Sequence, residues 1–219
     1  RSVDLYNNEK MEKILQPNDL EYITVSGEKT SKLPDLSECP KLTSVNLQYT
    51  GNIDISSLNN AKQITYLYIY GGDGMEEIPK LDYITDISIS NYQKLPTIVA
   101  PEKIKYISIS NCQITDLIAI KNLSNLNTLN LSDNSTLTDI SAIENLQNIT
   151  NLSLYKNEKI SDISVIEKLK NMTYLSISGD SGIRDFSIPE GLENLSNLNL
   201  SNTVIETISL PNAYKLNNI

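Results

Sequence analysis

A chain of 219 residues with no histidine lacks the commonest general base and the commonest metal ligand at neutral pH. Gly71-Gly72-Asp73-Gly74 is glycine-rich, but it has neither the lysine nor the strand-to-helix setting of a phosphate cradle. Cys39 and Cys112 form no Cys-x-x-Cys pair and read as buried free thiols, Cys112 packing inward as a small hydrophobe. Asp116, Asp139, Asp162 and Asp185 recur every 23 residues, each just before an apolar residue. Stacked carboxylates could hold calcium, but the simpler role is to cap the free N–H groups of a following 3₁₀ or α turn. No catalytic, metal or cofactor site is expected, and the chain reads as non-enzymatic. The residue type left to consider is tyrosine, whose twelve copies supply contact area and a hydroxyl at low entropic cost.

What positions those residues is a repeat. Leu126-Asn-Thr-Leu129-Asn-Leu131-Ser-Asp-Asn134 returns 23 residues later as Ile149-Thr-Asn-Leu152-Ser-Leu154-Tyr-Lys-Asn157, and again as Met172-Thr-Tyr-Leu175-Ser-Ile177-Ser-Gly-Asp180. Apolar residues at positions 1, 4 and 6 alternate with polar ones at 3, 5 and 7, which is the period of a strand with one buried face. One such unit cannot close a core, whereas stacked units can. The spacing therefore predicts a leucine-rich repeat solenoid of the α/β class, with a curved parallel sheet on the concave side and short 3₁₀ or α turns on the convex side.

Repeat starts fall at Leu20, Leu42, Ile64, Ile84, Ile104, Leu126, Ile149, Met172, Leu195 and Leu216, giving nine full repeats and the start of a tenth across 20–219. The stack stops where a strand begins, so the chain reads as cut from something longer. Residues 1–19 do not fit the repeat. Asn8 can cap an amphipathic helix from Glu9 to Leu15, ended by Pro17, and this stretch is expected to be a helical N-terminal cap. Position 9, the usual place for a bend-satisfying asparagine, reads Glu28, Thr50, Gly72, Tyr92, Cys112, Asn134, Asn157, Asp180 and Thr203. Gly72 and Tyr92 cannot replace asparagine, so repeats 3 and 4, at 20 residues each, should be the irregular part of the stack.

Net charge of −9, a pI near 4.6 and arginine only at Arg1 and Arg184 remove the footprint expected for nucleic acid or an anionic membrane surface. The chain has no apolar run long enough to span a bilayer, and direct membrane insertion is not expected.

Eight tyrosines fall on positions 3, 5, 7 or 8, which project from the exposed face of the strands: Tyr22, Tyr49, Tyr66, Tyr68, Tyr70, Tyr106, Tyr155 and Tyr174. Tyr66, Tyr68 and Tyr70 alternate with inward Leu67 and Ile69 along roughly 13 Å of one strand, and Tyr49 and Tyr106 can extend the patch. Strand propensity alone would also place tyrosine on a sheet. It would not gather four of them between Tyr49 and Tyr70, so the concave tyrosines are read as a partner-binding face.

Repeat 5, Ile104-Lys-Tyr-Ile107-Ser-Ile109-Ser-Asn-Cys112-Gln-Ile114-Thr-Asp116-Leu117, resembles the 22-residue repeat of the internalin family of Gram-positive surface proteins, and the Ile-Thr-Asp-Leu and Thr-Asp-Ile-Ser phrases carry most of the likeness. That resemblance implies a module secreted from a bacterium or held at its surface, binding a host protein through the concave face. The expected function is thus an extracellular, adhesin-like or virulence-type protein-binding module acting as a monomer. A glycan or cell-wall binding module and a cytosolic phosphatase-regulator-like scaffold are the alternatives.

Overall fold

The computed structural model describes residues 1–15, 18–72, 74–99, 102–179, 182–211 and 213–219. The chain forms two compact units, Arg1–Ile104 and Lys105–Ile219. Both are stacks of one coil: a short parallel strand, a tight bend and a return segment.

The first unit contains β1 (Ser2–Tyr6), β2 (Tyr22–Ser26), β3 (Ser44–Gln48), the 3₁₀ turn η1 (Ser56–Asn60), β4 (Tyr66–Tyr70), β5 (Glu77–Ile78), β6 (Asp86–Ser90) and β7 (Thr97–Ile98). Strands β1, β2, β3, β4 and β6 pair in that order, all parallel, and β5 pairs with β7. The second unit contains β8 (Tyr106–Ser110), η2 (Ile118–Ile120), β9 (Thr128–Ser132), η3 (Ser141–Asn145), β10 (Asn151–Ser153), η4 (Ser164–Lys168), β11 (Tyr174–Ser176), β12 (Asp185–Ser187), β13 (Asn197–Asn199) and β14 (Thr207–Ser209). Its main sheet runs β8, β9, β10, β11, β13 in parallel, and β12 pairs with β14. Register is set by the alternation. Val45, Leu67 and Ile87 stand side by side on neighbouring strands with their side chains wholly inside.

Residues 1–15 are not a helical cap. Ser2–Tyr6 is a strand in full parallel register with Tyr22–Ser26, and Lys13 bridges Asp35 on the return side, so the stretch is one more coil of the stack. Asn8 does accept from the N–H groups of Lys10 and Met11, at 3.3 and 3.0 Å, but no helix follows. Leu15, which a helix would bury, is 69% exposed. The five strand pairings outweigh the intrinsic helix preference of a short segment, which is marginal in water without a packing partner. Pro17 lies outside the described residues.

Return segments divide into two kinds. Those of η1 to η4 close i to i+3 bonds such as Leu58 N–H to Ile55 O at 3.0 Å and Ile143 N–H to Ile140 O at 3.1 Å. Just before them, Asp54, Asp116, Asp139 and Asp162 each accept from the N–H two residues on, at 2.8 to 3.0 Å. Hydrogen bonds from the serine that follows hold the carboxyls of Asp54, Asp139 and Asp162 below their ordinary value. Asp185 does not cap a turn; it lies in β12 and accepts from Thr207 Oγ1. Extended returns replace 3₁₀ turns at β5, β7, β12 and β14. Each has a proline within two residues of it, Pro79, Pro96, Pro189 or Pro211; in β5 the residue before proline, Ile78, is in the strand itself and is pushed to extended backbone. Repeats 3 and 4 are irregular, as their lengths predict, but repeats 8 and 9, at 23 and 21 residues, share the same extended return.

Among the described residues, the bend of each coil passes through a left-handed residue, with Gly72 a second one beside Gly71. In the first unit these are Asn7, Gly27, Tyr49, Gly71 and Asn91, and in the second Asn111, Asp133, Lys156, Gly179 and Asn202. Glycine, asparagine and aspartate suit this conformation, while Tyr49 and Lys156 take it at a cost of about 1–2 kcal/mol. Glycines at this place also make room. A Cβ on Gly71 would stand 2.6 Å from Tyr49 Cε1, and one on Gly179 would stand 2.8 Å from Lys156 Cγ.

Candidate functional site

Because strand side chains alternate, each apolar residue sent into the core leaves its neighbours facing out. In β4, Leu67 and Ile69 are buried, and Tyr66, Tyr68 and Tyr70 are on the other side. The rings of Tyr66 and Tyr68 stack, with centroids 4.2 Å apart and planes 16° from parallel. Tyr49 meets Tyr70 edge to face at 5.4 Å. Such pairs contribute about 0.5–1.5 kcal/mol beyond the area they cover. The Tyr66 hydroxyl shares a 2.7 Å hydrogen bond with Ser88, and Asn46 donates to the Tyr22 hydroxyl at 2.6 Å. Asn46 occupies an outward position yet is only 8% exposed. A hydrogen-bonding interaction with the Tyr70 hydroxyl, followed by burial, raises the Tyr49 pKa, so this phenol stays neutral through the physiological range.

All five tyrosines expected in the first unit face out of the sheet or its bend, and Tyr49, Tyr66, Tyr68 and Tyr70 make two ring pairs. Sequence reasoning missed a sixth, Tyr6, because residues 1–19 were assigned to a cap. Tyr6 is 75% exposed at the end of β1, two strands from Tyr49, which is 55% exposed. Between them lies a recess of about 450 Å³.

The second unit holds the remaining three. Tyr106 and Tyr174 stand on the same rung, separated by Thr128 and Asn151, and together they border a recess of about 300 Å³ that includes Asn130. Tyr155 carries Lys156 over its ring at 5.0 Å, and that lysine also pairs with Asp133 at 3.8 Å. The phenol of Tyr155, then the charge of Asp133, raises the Lys156 pKa.

Charge is nearly absent from the outward strand positions. In the main sheet of the first unit Asp4 and Asp86 are the charged residues there; in that of the second, among the described residues, the outward positions are Tyr, Ser, Thr and Asn. Lysines and the other acids stand mostly on bends and returns, for example Lys13 with Glu38 at 2.7 Å and Lys41 with Asp19 at 3.1 Å. Tyrosine, serine and asparagine on a rigid support are the chemistry of an antibody paratope.

Position 9 behaves as its residues dictate. Asn134, wholly buried, accepts from Cys112 N–H at 2.9 Å and donates to Ile109 O at 3.1 Å; Asn157 accepts from Asn134 N–H and donates to Leu131 O at 3.0 Å. A second ladder was not foreseen: Asn148, Asn171 and Asn194 donate to Ser124 O, Gln147 O and Lys170 O, tying each coil to the previous one. Its signal in the sequence was an asparagine just before each repeat start, 23 residues apart. In the first unit Thr50 is buried with no partner for its hydroxyl among the described residues, and Tyr92 fills the core. Asp180 lies outside the described residues. Cys39 and Cys112 are buried and unbridged, burial raising the Cys39 pKa. Among the described residues no three His, Cys, Asp or Glu side chains gather as metal ligands, and no helix is long and apolar enough to cross a membrane.

The family model described as a BspA-type leucine-rich repeat region matches residues 75–183 and 102–219. Among solved structures, an internalin (inlF) from Listeria monocytogenes aligns over 91% of this chain and 67% of its own, with a TM-score of 0.59 and 21% identity, a likeness of fold. Internalin C2 (inlC2) from the same organism aligns over 67% of this chain and 75% of its own, with a TM-score of 0.40 and 24% identity. No curated protein matches the sequence significantly.

Proposed function

Because the chain belongs to the BspA-type leucine-rich repeat family, we propose that it is a non-enzymatic module that binds a protein partner through the tyrosine-bearing sheet face of its first unit. The observation that carries this reading is the cluster of Tyr49, Tyr66, Tyr68 and Tyr70, paired ring to ring on a face almost without charge. Solvent does not call for such a surface, and each phenol can bury about 150–250 Å² against a partner. The internalin-like repeat extends the proposal to an extracellular setting, secreted or at a bacterial surface, with a host protein as the partner. A neutral glycan is the second reading, favoured by the recess of the second unit, where Tyr106 and Tyr174 border asparagine side chains.

Arrays of purified ectodomains and of glycans, probed with the chain, test it. The expected result is a protein hit that weakens about a hundredfold in Tyr66→Ala/Tyr68→Ala/Tyr70→Ala, at two or three contact residues of roughly 1–2 kcal/mol each. An affinity unmoved by that triple substitution, or glycan hits alone, would overturn it.

A further inference from the structure

We infer that the recess between Tyr6 and Tyr49 is the anchoring subsite of the contact face, and that it takes an apolar side chain on an uncharged segment of the protein partner. The inference rests on the proposed protein-binding function and adds a place and a chemistry to it.

Three observations carry it. The recess, about 450 Å³, has Tyr6 and Tyr49 at its sides, Ser26 and Gly27 at the end of the strand between them, and Asn7, Glu28, Lys29 and Gln48 completing its lining. That is room for a large side chain with its flanking backbone. Gly27 leaves the space that the Asn7 amide fills: a Cβ there would strike Asn7 Oδ1, which accepts from the Lys29 N–H.

Second, the Tyr49 ring is held where it is against the preference of its own backbone. It sits at φ 50° in a bend where the other coils of this unit use Asn or Gly, and Gly71 leaves the space its ring occupies. Strain of this kind persists where the surroundings over-determine it, and it gathers at ligand-contacting sites. An asparagine would serve the fold better here, as at Asn7 and Asn91, but it would offer no ring.

Third, the charges select the occupant. Glu28 and Lys29 stand together in the lining, so a carboxylate, phosphate or ammonium pressed between the phenols would lose water and meet a like charge beside the opposite one. An uncharged segment meets no such penalty. Tyr6, Tyr49 and Gln48 can still donate or accept hydrogen bonds from its backbone.

Selection from a random displayed-peptide library on the intact chain tests this. Enriched peptides should be poor in Asp, Glu, Lys and Arg and share an aromatic or aliphatic residue. Their affinity should fall about tenfold or more in both Tyr6→Ala and Tyr49→Asn, hold in Tyr106→Ala, and change less than about twofold between about 50 and about 500 mM salt. A charge-rich consensus, or affinity indifferent to Tyr6 and Tyr49, overturns the subsite. Peptides lost in Tyr66→Ala/Tyr68→Ala/Tyr70→Ala but retained in Tyr6→Ala and Tyr49→Asn defeat the subsite and leave the sheet-face reading intact. No peptide enriched, with neutral oligosaccharides bound instead, defeats both.

Discussion

The two units run the same coil and use its spare positions differently. In the second, Asn134 and Asn157 complete the bends from within, and Asn148, Asn171 and Asn194 tie coil to coil from outside. In the first, the corresponding bend position holds Thr50 and Tyr92, and the freedom gained outside goes to paired tyrosines, one of them in a left-handed bend. Both regions satisfy backbone groups with polar side chains, Asn59 and Gln63 doing so in the first, but the first adds ring-paired aromatic surface that its backbone does not need. A repeat architecture allows this because stability is close to a sum over coils and their interfaces.

The contrast can be broken from the strongest interaction downward. Asn134→Ala should lower the stability of the second unit by about 2–4 kcal/mol, since it strands a buried N–H and a buried carbonyl. Thr50→Val in the first should leave stability unchanged or raise it by about 1 kcal/mol, because a buried hydroxyl without a partner is removed. Chemical denaturation read separately from each unit by hydrogen exchange checks both. Next, Gly71→Ala should destabilise the first unit by about 1–3 kcal/mol, and less in a Tyr49→Asn background, because part of the cost is the collision with the Tyr49 ring. Equal losses in the two backgrounds would mean that the ring does not compete for that space.

Smaller effects sharpen the picture. Tyr49→Asn should alter stability by less than about 1 kcal/mol, relief of the left-handed backbone offsetting the lost edge contact with Tyr70. A loss beyond about 2 kcal/mol would make Tyr49 a structural residue. Smallest is the response to acid. The folded-state carboxyls of Asp54, Asp139 and Asp162 are held low, so what they contribute is present above the ordinary carboxylate pKa, near 4, and is lost as pH falls through the lowered folded values. Asp139→Asn should keep the bond to the Ser141 N–H at neutral pH and flatten the acid limb of the unfolding midpoint.

Much of this was legible because a period of two has one physical meaning. Leu67 inside and Tyr66 and Tyr68 outside follow from alternation alone, as does the inward ladder at Asn134 and Asn157. What was not legible depends on neighbours in space. Val3 and Leu5 alternate like any coil, but Met11, Ile14 and Leu15 share a helical spacing, and only the pairing of Ser2–Tyr6 with Tyr22–Ser26 decides between them. Tyr6 was missed as an outward residue of the sheet for that reason. The left-handed bend residue was hidden too, since Tyr49 and Lys156 are not residues that announce φ above zero. Asp185 reads like Asp139 until the pairing of Asp185–Ser187 with Thr207–Ser209 shows its return to be extended.

Hydrogen exchange of the chain with and without a bound protein partner bears most directly on the claim that the first unit presents the contact face. The account predicts slowed exchange in segments 44–50 and 66–72, with 128–134 and 151–157 unchanged. Protection confined to the second unit, or to the return side around Ser56–Asn60, would contradict it.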